Sequence, residues 1–194
     1  MKTKNDKTFQ LVMTAMFIAL TAVSILFIRV PIPFTQGYVH LGDAVIFLGI
    51  LVLGWRYGAI AAGIGGAMGD LLGGFAIWAP WTFAIKGLMA VIIGLILSAV
   101  IGKRQVSHSR LLATEVVCMV VAGAFETAAY FAAEGIMYGN WATAALGVPW
   151  NIGQFAIGMA VAVLINAALN KTPARKYFTY QSAAGSSVAP STES

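Results

Sequence analysis

The chain has 194 residues, of which 59% are hydrophobic even before its 21 glycines are counted, and only 10% are charged. Soluble domains contain about 45–50% apolar residues with glycine included, and about 25% charged residues. A soluble domain of this length cannot bury so much apolar surface, which excludes a soluble enzyme, a disordered chain and a disulfide-stabilised scaffold. The formal net charge of +5 comes from residues at the ends of apolar runs, which indicates membrane topology rather than nucleic-acid binding.

Six apolar segments follow one another along the chain, and we interpret them as the transmembrane helices of an all-α bundle. They cover about residues 8–28, 41–54, 57–77, 80–101, 111–133 and 148–169, and the second is short. A cleaved signal peptide is the alternative for the first segment, but its apolar stretch is too long for one. The predicted membrane domain is therefore 8–170. A cytoplasmic N-terminus of residues 1–7 precedes it, and a basic and then disordered cytoplasmic tail of residues 171–194 follows it.

The distribution of basic residues predicts the orientation. With six spans and the N-terminus inside, ten of the twelve Lys and Arg residues fall in inside segments. Arg29 is the exception in an outside loop, and Lys86 lies within a span. Because cytoplasmic loops of membrane proteins are enriched in Lys and Arg, we expect both termini to face the cytoplasm.

Polar side chains within the spans mark the predicted functional site, because such groups are costly in a bilayer and usually serve function. With a rise of about 1.5 Å per residue, Lys86, Glu126 and Gln154 lie about 9–10 Å below the outer ends of their segments. Asn151 is one turn from Gln154 on the same helix face, and Asp43 begins the second segment in the same half. We predict a pocket that opens to the outside. A purely structural ion pair between Lys86 and Glu126 is the alternative.

Aromatic residues cluster near this predicted pocket. Tyr130 is one turn from the glutamate and shares its face. Trp81 and Trp150 lie nearer the polar residues, whereas Trp78 and Trp141 fit an interfacial belt, which is the alternative for all four. Apolar walls, aromatic rings and a few polar groups suit a small planar polar ligand.

Two outside loops are predicted, at residues 29–40 and at about 134–147. In the first, prolines stiffen the chain and a glycine permits a turn. Its polar residues are Gln36, Tyr38 and His40, although His40 alone is also an ordinary loop residue. Because irregular segments that carry polar groups often serve function, we expect this loop to work with the pocket.

Small residues predict close helix contacts. The third segment repeats glycine at every fourth position from Gly65 to Gly73, a spacing that lets a neighbouring helix approach. The first segment carries Ala15 and Ala19, extended at Ala22, and no charge within its apolar run. This ridge fits either packing inside the bundle or docking to another membrane protein.

The sequence lacks the motifs of the common catalytic classes. No metal-ligand spacing, nucleophile elbow or phosphate-binding loop occurs in it. We therefore expect a protein that is not an enzyme and holds no metal or cofactor. Two other functions stay open: a stand-alone ion-coupled carrier or small channel, against which the missing internal repeat argues, and an intramembrane enzyme that uses Glu126 and Lys86 as acid and base.

Over about residues 8–170 the chain resembles the substrate-binding S components of energy-coupling factor (ECF) vitamin transporters. The resemblance rests on six spans with both ends inside, the A-x-x-x-A ridge, and the stretches 31–43 (PIPFTQGYVHLGD) and 79–87 (APWTFAIKG). These two stretches are similar to the subgroup associated with hydroxymethylpyrimidine or vitamin B6 compounds. Lys86 with Glu126 suggests a ligand with both donor and acceptor edges, and a single cation in the pocket disfavours a strongly anionic one.

The resemblance implies a high-affinity subunit in the bacterial cytoplasmic membrane that captures pyridoxine, pyridoxal or hydroxymethylpyrimidine from outside. It also implies that this subunit topples when it docks on a transmembrane coupling protein, while two partner ATPases hydrolyse ATP. The first loop would then act as a lid. The residues expected to bind substrate are Gln36, Tyr38, His40, Asp43, Trp81, Lys86, Glu126, Tyr130, Asn151 and Gln154, and those expected to dock the partner are Ala15, Ala19 and Ala22.

Overall fold

Six α-helices and one small hairpin make up the computed structural model, which describes residues 7–32, 37–101 and 106–181. The helices are α1 (Lys7–Phe27), α2 (Gly42–Leu53), α3 (Trp55–Leu72), α4 (Ala79–Val100), α5 (His108–Tyr138) and α6 (Trp141–Leu169). Strands β1 (Arg29–Pro31) and β2 (Tyr38–His40) pair antiparallel, and a 3-10 helix follows at Pro173–Tyr177. The predicted all-α bundle of six helices is confirmed, and the first loop contains the hairpin.

The helices differ in length and in hydropathy. Among the described residues, α1, α4, α5 and α6 are long and apolar enough to cross a membrane. Helix α2 has 12 residues and rises only about 18 Å, less than the roughly 30 Å of a hydrocarbon core. Helix α3 ends at Leu72 rather than at 77, because Gly73 caps it and Gly74 has a positive φ of 86°. The bundle therefore combines four long helices with two shorter ones.

The predicted outer loop at about 134–147 is wrong. Helix α5 continues to Tyr138 and α6 begins at Trp141, so only Gly139 and Asn140 separate them. Gly139 is left-handed, with φ 64°, and ends α5, while the Asn140 side chain accepts a hydrogen bond from the Thr143 amide at 3.0 Å and caps α6. Helix α6 therefore begins seven residues before the predicted start at 148, and it contains Pro149.

Helix α2 lies at the centre of the bundle and contacts α1, α3, α4 and α6. Ten of its 12 residues are buried, which matches a sequence that is apolar on every side. Phe47 and Ile50 are fully buried in the main core. The carboxylate of Asp43 in its first turn is buried as well, so α2 carries a charge into the core.

Glycines of α3 bring α1 close, as the repeat predicted. A Cβ at Gly65 would lie 2.7 Å from the Cβ of Thr21, and one at Gly69 would lie 2.8 Å from Cγ2 of Ile25. Both helices are therefore in backbone-close contact, as small residues allow in membrane bundles.

Gly94 of α4 does the same for α3. A Cβ at Gly94 would lie 2.0 Å from the Cβ and 2.6 Å from the Cα of Trp55, so any side chain at this position displaces backbone. By contrast, a Cβ at Gly153 of α6 would meet nothing within 4 Å. Only some of the helical glycines are therefore required by packing.

The alanine ridge of α1 is divided between two environments. Ala15 and Ala19 are exposed on the outer surface of the bundle, whereas Ala22 is 4% exposed and belongs to the core. The expectation that Ala22 extends the docking ridge is therefore wrong, because the helix rotates this residue onto its buried side, next to buried Thr21 and Ile25. The unoccupied part of the ridge is the pair Ala15 and Ala19.

The two ends of the bundle are distinct. The ring of Phe9 stacks on Tyr177 with 5.5 Å between centroids, so α1 begins where the segment after α6 lies, and we call this the termini end. There the amide of Thr179 donates to the carbonyl oxygen of Leu51 at 2.8 Å, and Phe178 is buried in the core. The chain through 181 is thus packed on the bundle, while 182–194, expected to be disordered, lie outside the described residues. The opposite end carries the hairpin, and we call it the hairpin end.

Candidate functional site

Four polar side chains from four helices meet in the interior, in the half of the bundle nearer the hairpin end. Asp43 lies in the first turn of α2, Lys86 two turns into α4, Glu126 in α5 and Gln154 in α6. The first three are 0% exposed and Gln154 is 5% exposed. We call these four residues the buried network.

Hydrogen bonds connect every member of the buried network. The ammonium Nζ of Lys86 donates to Oδ1 of Asp43 and to Oε1 of Glu126, forming two ion pairs. Nε2 of Gln154 donates to Oδ2 of Asp43 at 3.0 Å and to Oε1 of Glu126 at 2.8 Å. Its own Oε1 accepts from the backbone amide of His40 at 2.9 Å, which ties the hairpin to the network. The ammonium and the amide thus each donate to both carboxylates, and the positive charge of Lys86 balances one of the two negative charges.

The predicted convergence of Lys86, Glu126 and Gln154 at one depth is confirmed. The outer ends of α5 and α6 were misplaced by five and seven residues, whereas that of α4 was misplaced by one, so the contacts among the side chains, rather than the calculated depths, establish the convergence. The ion pair foreseen for Lys86 and Glu126 exists, and Asp43 joins it as a second carboxylate. Burial of charge without such partners would be strongly unfavourable, so the three residues stabilise one another.

A polar cavity of about 30 Å³ lies between the buried network and the hairpin. This volume accommodates about two water molecules, since one needs roughly 10–15 Å³ on this measure. A ring-sized ligand therefore fits only when the hairpin moves outward. The polar and aromatic residues that line the cavity are Tyr38, His40, Asp70, Trp78, Thr82, Tyr130, Glu134, Asn151 and Gln154.

The hairpin forms the roof of the cavity and is fastened to the α3–α4 connection. The hydroxyl of Tyr38 donates to Oδ1 of Asp70, and the Tyr38 ring lies 4.5 Å from the Phe75 ring. Burial and the neighbouring Asp70 raise the pKa of Tyr38 far above its usual range, so it remains a hydrogen-bond donor. Arg29 lies over the Phe75 ring at 5.7 Å and donates to the carbonyl oxygen of Gly73 at 3.2 Å.

His40 connects the hairpin to the buried network. Its backbone amide bonds Gln154, and its Nδ1 accepts from the backbone amide of Gly42 at 3.1 Å, which assigns the proton to Nε2. Burial and the positive charge of Lys86 together lower the pKa of His40 to about 4. The ring is therefore neutral at pH 7.

Aromatic side chains form the cavity walls, though not the tryptophans that were expected. Trp78 is 5% exposed, lines the cavity and lies 6.0 Å from the Tyr130 ring. The ammonium of Lys86 lies 5.5 Å from the centroid of the Tyr130 ring, and the Tyr130 hydroxyl donates to Oγ1 of Thr82 at 3.2 Å. At 100° per residue, Trp81 is about 140° around α4 from Lys86 and Trp78 about 80°. Trp81 accordingly packs into the apolar cluster beside Trp78, outside the cavity lining.

Trp150 lies elsewhere than predicted. It is 38% exposed and lines an apolar groove of about 350 Å³ between the hairpin and α6. His40 and Gln154 line both this groove and the polar cavity. Asn151 lies in the cavity lining, as predicted, and Gln36 lies outside the described residues.

Glu134 is the cavity residue that the sequence analysis missed most clearly. It was assigned to a loop, but it lies on α5, is 2% exposed and lines the cavity. Glu134 follows Glu126 by eight residues, which places it about 80° around the same helix. The pair Gly139 and Asn140, a typical end and start signal, marks the turn that would have kept Glu134 on the helix.

Comparisons with known proteins agree with this architecture. A family model described as "ECF-type riboflavin transporter, S component" matches residues 5–171. The structure reported as "Structure and mechanism of the S component of a bacterial ECF transporter" superposes with a TM-score of 0.64 at 21% identity, over 86% of this chain and 98% of that chain. At that identity the superposition shows a shared fold.

A curated relative is less informative. It is described as "Uncharacterized protein in gap 3'region" from Pyrococcus woesei, and it is 40% identical over 72 residues, or 37% of this chain. The match spans 48% of that protein, so the chain covers about half the length of the curated relative that it matches. The family match, which extends over nearly the whole membrane domain, carries the assignment: this multi-pass membrane protein belongs to the family of ECF-type transporter S components.

Proposed function

We propose that this chain captures a small vitamin or vitamin precursor from outside the cell and hands it to an ATP-driven importer. The observation that supports this most directly is the polar cavity between the buried network and the hairpin, in an S-component fold. Gln154 is the member of the buried network that lines the cavity, and its bonds to Asp43 and Glu126, both paired with Lys86, preorganise it. The cover is a short hairpin, and its outward movement would admit and release a ligand.

The proposed substrates are hydroxymethylpyrimidine, pyridoxine and pyridoxal. Each is a single substituted ring, and a cavity of about 30 Å³ favours a small ligand because less displacement of the roof is needed to admit it. Riboflavin, named in the matching family description, is the second candidate. It has three fused rings and a sugar-like chain, and it would need a much larger opening of the hairpin, with use of the adjoining apolar groove.

The hairpin end is proposed to face outside and the termini end the cytoplasm of a bacterial cell. Cations support this orientation: Lys7, Arg56, Arg110 and Lys171 belong to helix ends or turns at the termini end, while Arg29 lies on the hairpin. The importer is then completed by a transmembrane coupling protein and two ATPases. These partners supply ATP hydrolysis, so we propose no cofactor for this chain.

Docking to the coupling protein is assigned to the exposed pair Ala15 and Ala19 of α1. Both residues lie on the outer surface of the bundle, where small side chains allow another helix to approach closely. Toppling of the bundle on docking would then carry the occupied cavity toward the cytoplasm.

The experiment is ligand titration of the purified protein in detergent, with hydroxymethylpyrimidine, pyridoxine, pyridoxal and riboflavin measured side by side. One ligand should bind at submicromolar concentration, and mass spectrometry should detect the same compound in protein purified from cells. Gln154→Ala should weaken binding by about tenfold or more, because it removes hydrogen bonds to two carboxylates.

The matched control is Asn166→Ala, which removes a buried amide from the same helix but from the other end of the bundle, where it bonds Glu115. Ligand affinity should be unchanged in this variant. Failure of all four compounds to bind, or equal weakening by both alanine variants, contradicts the proposed function.

A further inference from the structure

Two carboxylates in the cavity lining have an oxygen without a partner. Within the described part of the chain, Oδ2 of Asp70 and Oε2 of Glu134 are buried and accept no hydrogen bond. Asp70 is 3% exposed and Glu134 is 2% exposed. A buried acceptor that lacks a donor is unfavourable, more so when it belongs to a charged group, so each oxygen is a position where a donor is missing.

Among the described residues, no Lys or Arg side chain forms a salt bridge with Asp70 or Glu134. Both ion pairs found there use Lys86, whose ammonium bonds Asp43 and Glu126. Arg29, the cation of the roof, donates to the carbonyl oxygen of Gly73 and lies over aromatic rings. The groups that contact the Asp70 carboxylate are neutral hydroxyls: Tyr38 donates to Oδ1, and the hydroxyl of Thr82 lies beside the carboxylate.

The cavity therefore contains two carboxylate oxygens that lack a donor. Asp70 and Glu134 come from α3 and α5 and line the same 30 Å³ space. The ring of Trp78 also lines the cavity, with its Nε1 beside the hydroxyl of Tyr138. Its aromatic face, together with that of Tyr130, favours a flat or positively charged group.

We propose that Asp70 and Glu134 form a subsite that selects a ligand with N–H donors. The substrate class is then a small heteroaromatic ring that is neutral or cationic and carries an amino group or a protonated ring nitrogen. Ligands with a carboxylate or phosphate group are excluded, because they would meet two carboxylates at close range. The inference rests on the proposed function of this cavity and adds the chemical class of its occupant.

Pairs of probes that share a shape but differ in donors test this subsite. One pair is 4-amino-5-hydroxymethyl-2-methylpyrimidine and its 4-methyl analogue, which has a group of similar size and no N–H donor, and the other is benzamidine and benzoate. The amino member and benzamidine should bind about tenfold or more tightly than their counterparts, the difference expected for hydrogen bonds to charged groups. Binding is measured by calorimetry or by ligand-induced thermal shift in detergent.

Variants then assign the selectivity to residues. Glu134→Gln should reduce the preference for the donor member by about tenfold and leave the other member within about threefold. Asp70→Asn should reduce the same preference, and it provides the test if Glu134→Gln misfolds. Glu115→Gln is the matched control, because Glu115 is a buried glutamate of the same helix that bonds Asn166 far from the cavity.

The outcomes separate this inference from the proposed function. If a vitamin binds but the donor member of each pair binds no better than its counterpart, the inference is overturned and the function stands. Selectivity that survives both Glu134→Gln and Asp70→Asn also overturns it. If benzamidine binds selectively and no vitamin binds, the subsite is supported and the proposed vitamin substrates are rejected. Absence of binding by every probe and every vitamin rejects both.

Discussion

Replacement of Lys86 by methionine tests whether the buried network holds the bundle together. Met retains most of the side-chain length but removes the ammonium, so Asp43 and Glu126, both 0% exposed, keep only the amide of Gln154 as a donor. Removing one partner from a buried pair costs about 3–5 kcal/mol. Since two pairs share this lysine, we expect a free energy of unfolding at least about 3 kcal/mol lower.

A second substitution reports the origin of that loss. Adding Glu126→Gln to Lys86→Met neutralises one of the stranded carboxylates and should restore about 1–3 kcal/mol, the cost of one unsatisfied buried group. Lys171→Met is the control, an exposed cation at the termini end, and it should change stability by no more than about 0.5 kcal/mol. Unfolding in detergent by increasing SDS, followed by tryptophan fluorescence, gives all four values. A loss below about 1 kcal/mol in Lys86→Met, or further destabilisation by Glu126→Gln, refutes the reasoning.

Three other predictions address packing, docking and pH. Gly94→Ala should destabilise by about 1–3 kcal/mol in the same unfolding assay because its Cβ has no room, whereas Gly153→Ala should be neutral or stabilise by up to about 1 kcal/mol through helix propensity. Ala19→Leu should abolish vitamin uptake by cells while ligand binding in detergent is retained, and Ala84→Leu, also on an exposed surface, should leave both unchanged. The lowered pKa of His40 means that its contribution is complete above about pH 6.5 and is lost as the pH falls toward about 4. The unfolding temperature of the wild type should therefore fall more steeply across that range than that of His40→Asn, and identical slopes would show that this residue does not titrate on unfolding.

Much of the fold could be predicted because its signals are local. Apolar length located all six helices, and the glycine repeat from Gly65 predicted the close contact with α1 that the structure contains. Charge inside the spans indicated Lys86 and Glu126, since few residues in this chain are ionisable and fewer lie in apolar segments. Helix rise placed these residues in the same half of the bundle, although the assumed outer ends of α5 and α6 were wrong.

The predictions that were wrong depend on the rotation of a helix about its axis and on contacts between residues far apart in the sequence. Trp78 and Trp81 are less than one helical turn apart, and the rotation of α4 about its axis decides which of them faces the cavity. The presence of tryptophans near a membrane interface does not specify that rotation. Ala22 has the right spacing for the exposed ridge but lies where α1 turns toward the core. The second ion pair of the lysine needs Asp43 on α2, 43 residues earlier, and no periodicity within one helix specifies that contact.

The shortness of α2 has a consequence for how ligand range can change among such proteins. Its 12 residues fall about 12 Å short of a full crossing, and the site occupies the space where two further helical turns would stand. Below that level every wall belongs to the packed bundle, and above it the cover is a hairpin of two three-residue strands. Exchange of the hairpin between related proteins would therefore change which ligands can enter the site, while the six helices of the bundle stay the same. A chimera with a foreign segment at 29–40 is thus the most economical route to a new ligand on an unchanged frame.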